Sequence, residues 1–183
     1  RRVNPPIPGR ATLSPARVRV ALLALAMGGF AIGTTEFVAM GLLPQLAADL
    51  LPEVAARSTE AANAQAGTLI SAYALGVVVG APTIAAASAR APRRKLLLWL
   101  LLAFTLGTVL SAVLPSFGLV VLARFVAGLP HGAYFGIASL VAAQLMGEGK
   151  RARGVAFVLA GLTIANVIGV PIVTWIGQNA GWR

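Results

Sequence analysis

Two ionisable side chains lie seven residues apart within a long apolar segment, in the stretch LARFVAGLPHGAYFG at residues 122–136. In a helix, Arg124 and His131 are two turns apart and share one face. A charge in lipid hydrocarbon costs roughly 3 kcal/mol or more, so such residues usually face the interior of a bundle, where they bind ions or relay protons. The alternative is that Arg124 extends to the nearer membrane surface and that His131 is a packing residue.

Glu36 is a third candidate, because it is the single acidic residue within the apolar runs. A carboxylate that is exposed to each side of a membrane in turn can take up and release protons. We predict that Glu36 is the main proton-coupling residue, that His131 is second, and that the charge of Arg124 tunes the proton affinity of the acid. The alternative is that Glu36 only donates or accepts a structural hydrogen bond.

The composition indicates a membrane protein. Of the 183 residues, 58% are hydrophobic and 11% are charged, whereas a soluble domain has about 25% charged residues. We predict an all-α polytopic fold with five transmembrane helices at residues 20–43, 66–89, 96–114, 119–145 and 155–176, each long enough to span a bilayer. Residues 1–19 are expected to form a disordered cytoplasmic tail, residues 45–65 a polar connection and residues 177–183 an exit loop.

The net charge of +10 is explained better by topology than by nucleic-acid binding, because the basic residues form clusters between the apolar runs. Residues 1–19, 90–95 and 147–153 hold five, four and three Lys or Arg, and all three segments fall on one side. The segments on the other side of the membrane hold two basic residues, Arg57 and Arg183. The N-terminus is therefore predicted to be cytoplasmic.

This orientation also sets the depth of the candidate residues. At 1.5 Å per residue, Glu36 lies roughly 12 Å from the outer end of its helix, Arg124 about 8 Å and His131 about 18 Å. If the first and fourth spans face one another, the three side chains share one water-accessible level.

An intramembrane enzyme is a competing class. Against it, the chain has one histidine and no cysteine, and it lacks the HExxH and GxSxG patterns of zinc and serine hydrolases. We therefore predict no metal and no cofactor.

Several motifs resemble those of the major facilitator superfamily, in particular the drug/proton antiporter branch and its arabinose-efflux-type permeases. ARFVAGLPHGAYFG resembles the fourth-helix motif and GLTIANVIGVP the fifth-helix antiporter motif, while GTTEFVAMGLLP and SAYALGVVVGAP resemble first- and second-helix signatures. The matching positions include Arg124, Gly128, Gly132, Gly161, Gly169 and Pro171. The resemblance covers nearly all of residues 28–183.

The loop between the second and third helices departs from the family pattern. Arg90, Arg93 and Arg94 fit the family's basic positions. Ala89 stands where the family usually has an aspartate, and Ala85 and Pro92 stand in place of its two glycines. The charge latch that the aspartate makes elsewhere in the family therefore lacks its acidic group here.

The resemblance implies a transporter of twelve helices in two halves, each half built from inverted three-helix repeats whose first and fourth helices line the cavity. This chain would be most of the N-terminal half, truncated before the sixth helix. The implied function is secondary active transport, not enzymatic catalysis: proton-coupled efflux of a small sugar-like or amphipathic drug-like solute across the bacterial cytoplasmic membrane. Its partners would be the substrate, protons, the lipid bilayer and the missing C-terminal half, with no nucleic acid. A non-transporting, truncated membrane protein remains an alternative.

Two further residues are candidates for the substrate cavity, Tyr73 and Asn166, although a tyrosine in a membrane helix often packs and an asparagine often makes an interhelical hydrogen bond. The small residues of the motifs are assigned to helix packing and conformational change: Gly128, Gly132, Gly161, Gly169 and Pro171.

Overall fold

The computed structural model describes residues 14–183, and within that range the chain forms nine α-helices and one π-helical turn. Five helical segments are long and apolar enough to cross a membrane: Pro15–Gly41 (α1), Thr59–Ala87 (α4 and α5), Arg93–Val113 (α6), Phe117–Met146 (α7) and Arg151–Ala180 (α8, the π turn and α9). The predicted all-α polytopic fold with five spans is thereby confirmed.

All five helical segments begin before the apolar runs from which they were predicted, and the last two also end after them. α1 begins at Pro15, where the Ser14 side chain accepts a hydrogen bond from the Arg17 N–H at 3.4 Å. The expectation that the tail is disordered was therefore wrong for residues 15–19, which are helical. Residues 1–13 lie outside the described part of the chain. Hydropathy indicates where a helix leaves the hydrocarbon of the membrane, not where the helix ends. Arg and Ala have high helix propensity, so the helix continues through them into the membrane-surface region.

Residues 45–65 are mostly helical rather than the polar connection that was expected. They fall within α2 (Leu43–Leu50), α3 (Pro52–Arg57) and α4 (Thr59–Ala66), and α4 begins with a Ser58 cap that accepts from the Ala61 N–H at 3.1 Å. These helices bury a small apolar cluster of Ala47, Leu51, Ala62 and Ala66. We call this side of the bundle the α2–α4 end, and the side with the loops at residues 90–95 and 147–153 the basic end.

The last residues fold back over the α2–α4 end. α9 (Val170–Ala180) continues the helix through part of the predicted exit loop. Beyond it, Arg183 Nε and Trp182 Nε1 donate to Asp49 Oδ2 at 3.0 and 3.2 Å, and Arg183 Nη1 donates to the Ala112 carbonyl at 2.7 Å. These contacts join α2 to the end of α6.

α7 is the central helix of the bundle, because it packs against α5 (Thr68–Ala87), α6 and α8 (Arg151–Ile164). Half of its most apolar 18-residue window is buried, compared with a third or less in every other span. α1 packs mainly against α8 and α9. The residues of α7 that face its neighbours are therefore the ones the fold positions most firmly.

Candidate functional site

A cluster of four polar side chains lies between three helices: Glu36 on α1, Tyr73 on α5 (Thr68–Ala87), and Arg124 and His131 on α7 (Phe117–Met146). We call these residues the polar cluster. The structure brings together the three ionisable residues singled out in the sequence and adds Tyr73 as the link between them.

His131 is the point of contact with α1. Its Nδ1 atom lies 3.7 Å from Glu36 Oε2 and 2.9 Å from the Tyr73 hydroxyl. The ring of Phe135 packs at a centroid distance of 5.2 Å on another side. Of the two side chains, Glu36 is the more exposed, at 24% compared with 10% for His131.

Arg124 completes the polar cluster through Tyr73. Its guanidinium carbon lies 4.4 Å from the centre of the Tyr73 ring, a cation–π contact. Arg124 is 7% exposed, and its Nε and Nη2 atoms are buried with no hydrogen-bond acceptor among residues 14–183. Arg124 is thus buried within the bundle in this structure and does not extend to the membrane surface.

The glycines of α5 and α7 explain how Tyr73 reaches this position. A Cβ atom at Gly128 would collide with the Tyr73 carbonyl oxygen, and one at Gly132 would lie 2.6 Å from the Val77 carbonyl oxygen. On the other helix, Gly76 faces the Phe125 carbonyl. The two backbones approach so closely that any side chain at these positions would separate them.

The fifth span approaches α1 in the same way. A Cβ at Gly161 would collide with the Ala26 carbonyl, and one at Gly169 with the Thr34 side chain. The helix becomes a π turn at Ala165–Gly169, and the Val170 N–H donates to the Ala165 carbonyl. Pro171 lies two residues beyond the turn and has no N–H to donate, which favours such a break in the regular hydrogen-bond pattern.

The other predicted residues lie outside the polar cluster. Asn166, in the π turn, is exposed, and its amide donates to the Leu162 carbonyl of its own helix at 3.2 Å. Arg90, Arg93 and Arg94 are exposed at the basic end. The ion pairs of the described part of the chain do not include them.

Sequence reasoning missed the contribution of α6 to the surroundings of Arg124. A cavity of about 130 Å³ lies beside Arg124, and its walls include Thr108 and Ser111 of α6 and Thr35 of α1. Hydroxyls on an aliphatic helix carry no distinctive signal, although Thr108 and Ser111 do share a helix face.

The polar cluster combines groups of the kind that exchange protons with a buried positive charge. The Glu36 carboxylate and the Tyr73 hydroxyl lie 3.7 and 2.9 Å from His131 Nδ1, and the Arg124 guanidinium lies over the Tyr73 ring. Within residues 14–183, His, Asp and Glu form no group of three that could hold a metal ion.

A bundle of apolar helices with a buried polar cluster is typical of membrane transport proteins. Residues 25–183 match the sequence model of the Major Facilitator Superfamily, and the chain belongs to that family. This confirms the family predicted from the motifs. No solved structure matches the chain.

Curated proteins of similar sequence support this family membership. The chain is 47% identical over 167 residues to the inner membrane transport protein YdhP of Escherichia coli, 38% over 162 residues to the putative transporter AraJ of the same species, and 40% over 162 residues to a chloramphenicol resistance protein of Streptomyces lividans. These matches cover 88 to 91% of this chain but 39 to 41% of the relatives. The chain thus spans about two fifths of their length.

Proposed function

We propose that this chain is the N-terminal half, up to the fifth span, of a proton-coupled efflux transporter. The transporter would exchange protons for a small sugar-like or amphipathic drug-like solute, with its N-terminus in the cytoplasm. The family makes it a membrane transporter rather than an enzyme. The name of the chloramphenicol resistance protein is compatible with export, since removing a drug from the cell is one way to resist it.

The observation that carries the proton-coupling proposal is the 3.7 Å approach of Glu36 to His131. Two groups that exchange protons lie at the contact between α1 and α7, the helices that correspond in the inverted repeats of this family and line the cavity. When Glu36 ionises it pairs with a protonated His131, and when it takes up a proton the pair is lost. Protonation can therefore bias how tightly the two helices hold together.

In this proposal, the substrate and the proton compete for Glu36. A cationic or hydrogen-bonding solute that reaches Glu36 would displace its proton, and proton return would displace the solute, which is the requirement for antiport. The chain provides one wall of the cavity, and the missing half would provide the other.

The test uses the full-length protein in inverted membrane vesicles. Substrate uptake should accelerate when a proton gradient, acidic inside, is imposed, and adding substrate should release protons that a pH-sensitive dye reports. Chloramphenicol and a panel of amphipathic cations serve as first substrates. Transport with the same rate and extent after the gradient is collapsed by an ionophore would overturn proton coupling and leave family membership untouched.

A further inference from the structure

Tyr73 has little surface free for a solute, although its residue type made it a candidate for the substrate cavity. It is 2% exposed. Its ring centre lies 4.4 Å from the Arg124 guanidinium carbon, and its hydroxyl lies 2.9 Å from His131 Nδ1. A face of the ring and the polar end of the side chain are therefore both occupied by residues of α7. A role exerted through these residues fits the structure better than direct contact with the solute.

The Tyr73 hydroxyl is the donor in its hydrogen bond to His131. Among residues 14–183 this hydroxyl forms one hydrogen bond, and its partner is Nδ1 of the imidazole. If Nδ1 carried the ring proton and donated it, the buried phenol proton would have no acceptor in this part of the chain, which is costly in a buried site. The bonding therefore assigns the ring proton of neutral His131 to Nε2, and Nδ1 is the acceptor.

Glu36 approaches the same nitrogen without forming a hydrogen bond to it. The Glu36 Oε2 atom is 3.7 Å from His131 Nδ1, which is beyond hydrogen-bond distance. Nδ1 has one lone pair, so a proton can bind there only after the bond from the Tyr73 hydroxyl is broken. Once protonated, Nδ1 can donate to Glu36. The Tyr73 bond therefore opposes the formation of the Glu36–His131 ion pair.

The charged and titratable groups around His131 are few. α1 contributes Glu36 and α5 contributes Tyr73. On α7 itself, Arg124 lies over the Tyr73 ring, and Tyr134 donates to a carbonyl of α1 at 2.8 Å. In the described part of the chain, the arginines of α1 and the ionisable residues of α6 and α8 all lie in the first two turns of those helices, at the basic end.

Tyr73 is also held against α7 more firmly than Glu36 is. α5 and α7 approach so closely that a Cβ at Gly128 would collide with the Tyr73 carbonyl oxygen. α1, by contrast, packs mainly against α8 and α9. A displacement of α1 would therefore move Glu36 away from His131 and leave Tyr73 in place.

We propose that Tyr73 is a positioning residue for proton exchange: its hydroxyl holds His131 in the neutral form with the proton on Nε2, and so sets the pH below which His131 pairs with Glu36. This inference rests on the proposed proton-coupling function and adds to it the residue that sets the pH range. Removing the hydroxyl removes a bond that only unprotonated Nδ1 can accept, so the ion pair should then form at higher pH. One hydrogen bond corresponds to roughly a tenfold change in proton affinity, or about one pH unit.

The test compares Tyr73→Phe with the wild type in the full-length protein, by NMR of protein labelled with a nitrogen isotope in its histidines. The signals of His131 are identified by their absence in His131→Gln. Near neutral pH, wild-type Nδ1 should be unprotonated and hydrogen-bonded. In Tyr73→Phe the pH at which Nδ1 takes up a proton should rise by about one unit. The pH of half-maximal proton-driven uptake in vesicles should move in the same direction.

The matched control is Tyr134→Phe. Tyr134 is as buried as Tyr73, at 1% exposed, but its hydroxyl donates to the Leu25 carbonyl, so its loss should leave the protonation of His131 unchanged. The same protonation pH in wild type, Tyr73→Phe and Tyr134→Phe would overturn the proposal. So would a proton on Nδ1 of neutral wild-type His131, whether or not Tyr73→Phe folds. If the NMR shift occurs but wild-type transport ignores the proton gradient, proton coupling is wrong and the control of His131 by Tyr73 is confirmed.

Discussion

One ring nitrogen of His131 faces two partners, the Tyr73 hydroxyl and the Glu36 carboxylate. When Nδ1 is unprotonated it can accept from the Tyr73 hydroxyl, and when it is protonated it can donate to Glu36 instead. We propose that the proton state of His131 decides whether it binds α5 or α1. At the scale of single residues, this choice would link proton exchange to helix contacts.

Arg124 provides the first prediction at this scale. Its flat guanidinium stacks on the Tyr73 ring, and lysine, with a compact ammonium group, lacks that plane. We expect both Arg124→Lys and Arg124→Ala to slow proton-driven transport by about tenfold or more, because lysine keeps the charge but loses the planar stacking and alanine loses both. The measurement is the initial rate of gradient-driven uptake in vesicles.

The control for this prediction is Arg57→Lys. Arg57 is an exposed cation at the end of α3 (Pro52–Arg57), so the exchange there should have no effect. Full proton-coupled transport in both Arg124 variants would remove Arg124 from the mechanism.

At the scale of elements, the contact between α1 and the fifth span depends on residues without side chains. Gly161 precedes the π turn and contacts the Ala26 backbone, whereas Gly169 is the last residue of the turn and contacts the Thr34 and Phe30 side chains. Such turns often mark sites where a helix changes shape. We infer that this contact holds the half in the conformation that closes around an empty cavity.

Gly169→Leu tests that inference. A leucine there would collide with Thr34 and Phe30 of α1 and force the helices apart. We expect the variant to reach the membrane in normal amount and to lose efflux, measured as drug accumulation in cells that express the full-length protein. Gly118→Leu is the control, because nothing lies within 4 Å of a Cβ built there. Normal efflux by well-expressed Gly169→Leu would contradict the inference.

The sequence predicted the positions of the helices better than the contacts between them. The seven-residue spacing of Arg124 and His131 and the depth of Glu36 were enough to place these residues at one level of the bundle. The role of Tyr73 as their link was not predictable, because it depends on the register of α5 against α7. That register comes from Gly76 and Gly128 packing across the interface, which no pattern within one helix encodes.

The π turn and the helices of the α2–α4 end were also missed. In a π turn each hydrogen bond spans one residue more than in an α-helix. Pro171 indicates a bend in the helix but does not indicate that the bend is a π turn. Residues 45–65 are too polar to be recognised from composition as part of a membrane span, yet the helices that begin there bury Ala62 and Ala66 against α2 and α3. Helices this short are marginal on their own, and tertiary contacts stabilise them.

At the scale of the whole molecule, the two ends differ in charge. The basic end carries the clusters at residues 90–95 and 147–153, whereas Asp49, Glu53 and Glu60 lie at the α2–α4 end. We expect the basic end to face the cytoplasm. Thr59→Cys should react with a membrane-impermeant maleimide in intact cells, and Ala91→Cys only after permeabilisation. Equal labelling of both in intact cells would contradict this orientation.

The central claim is that Glu36 carries the coupled proton, and the measurement that tests it is uphill transport by charge-neutral variants in vesicles. Glu36→Gln keeps the size and much of the hydrogen bonding of the side chain but cannot ionise. It should still bind substrate and run downhill exchange, yet fail to accumulate substrate when a pH difference is imposed. The control, Glu53→Gln, changes an exposed acid on α3 and should accumulate substrate normally. If Glu36→Gln drives uphill transport while His131→Gln does not, the proton carrier is His131 and the claim is wrong.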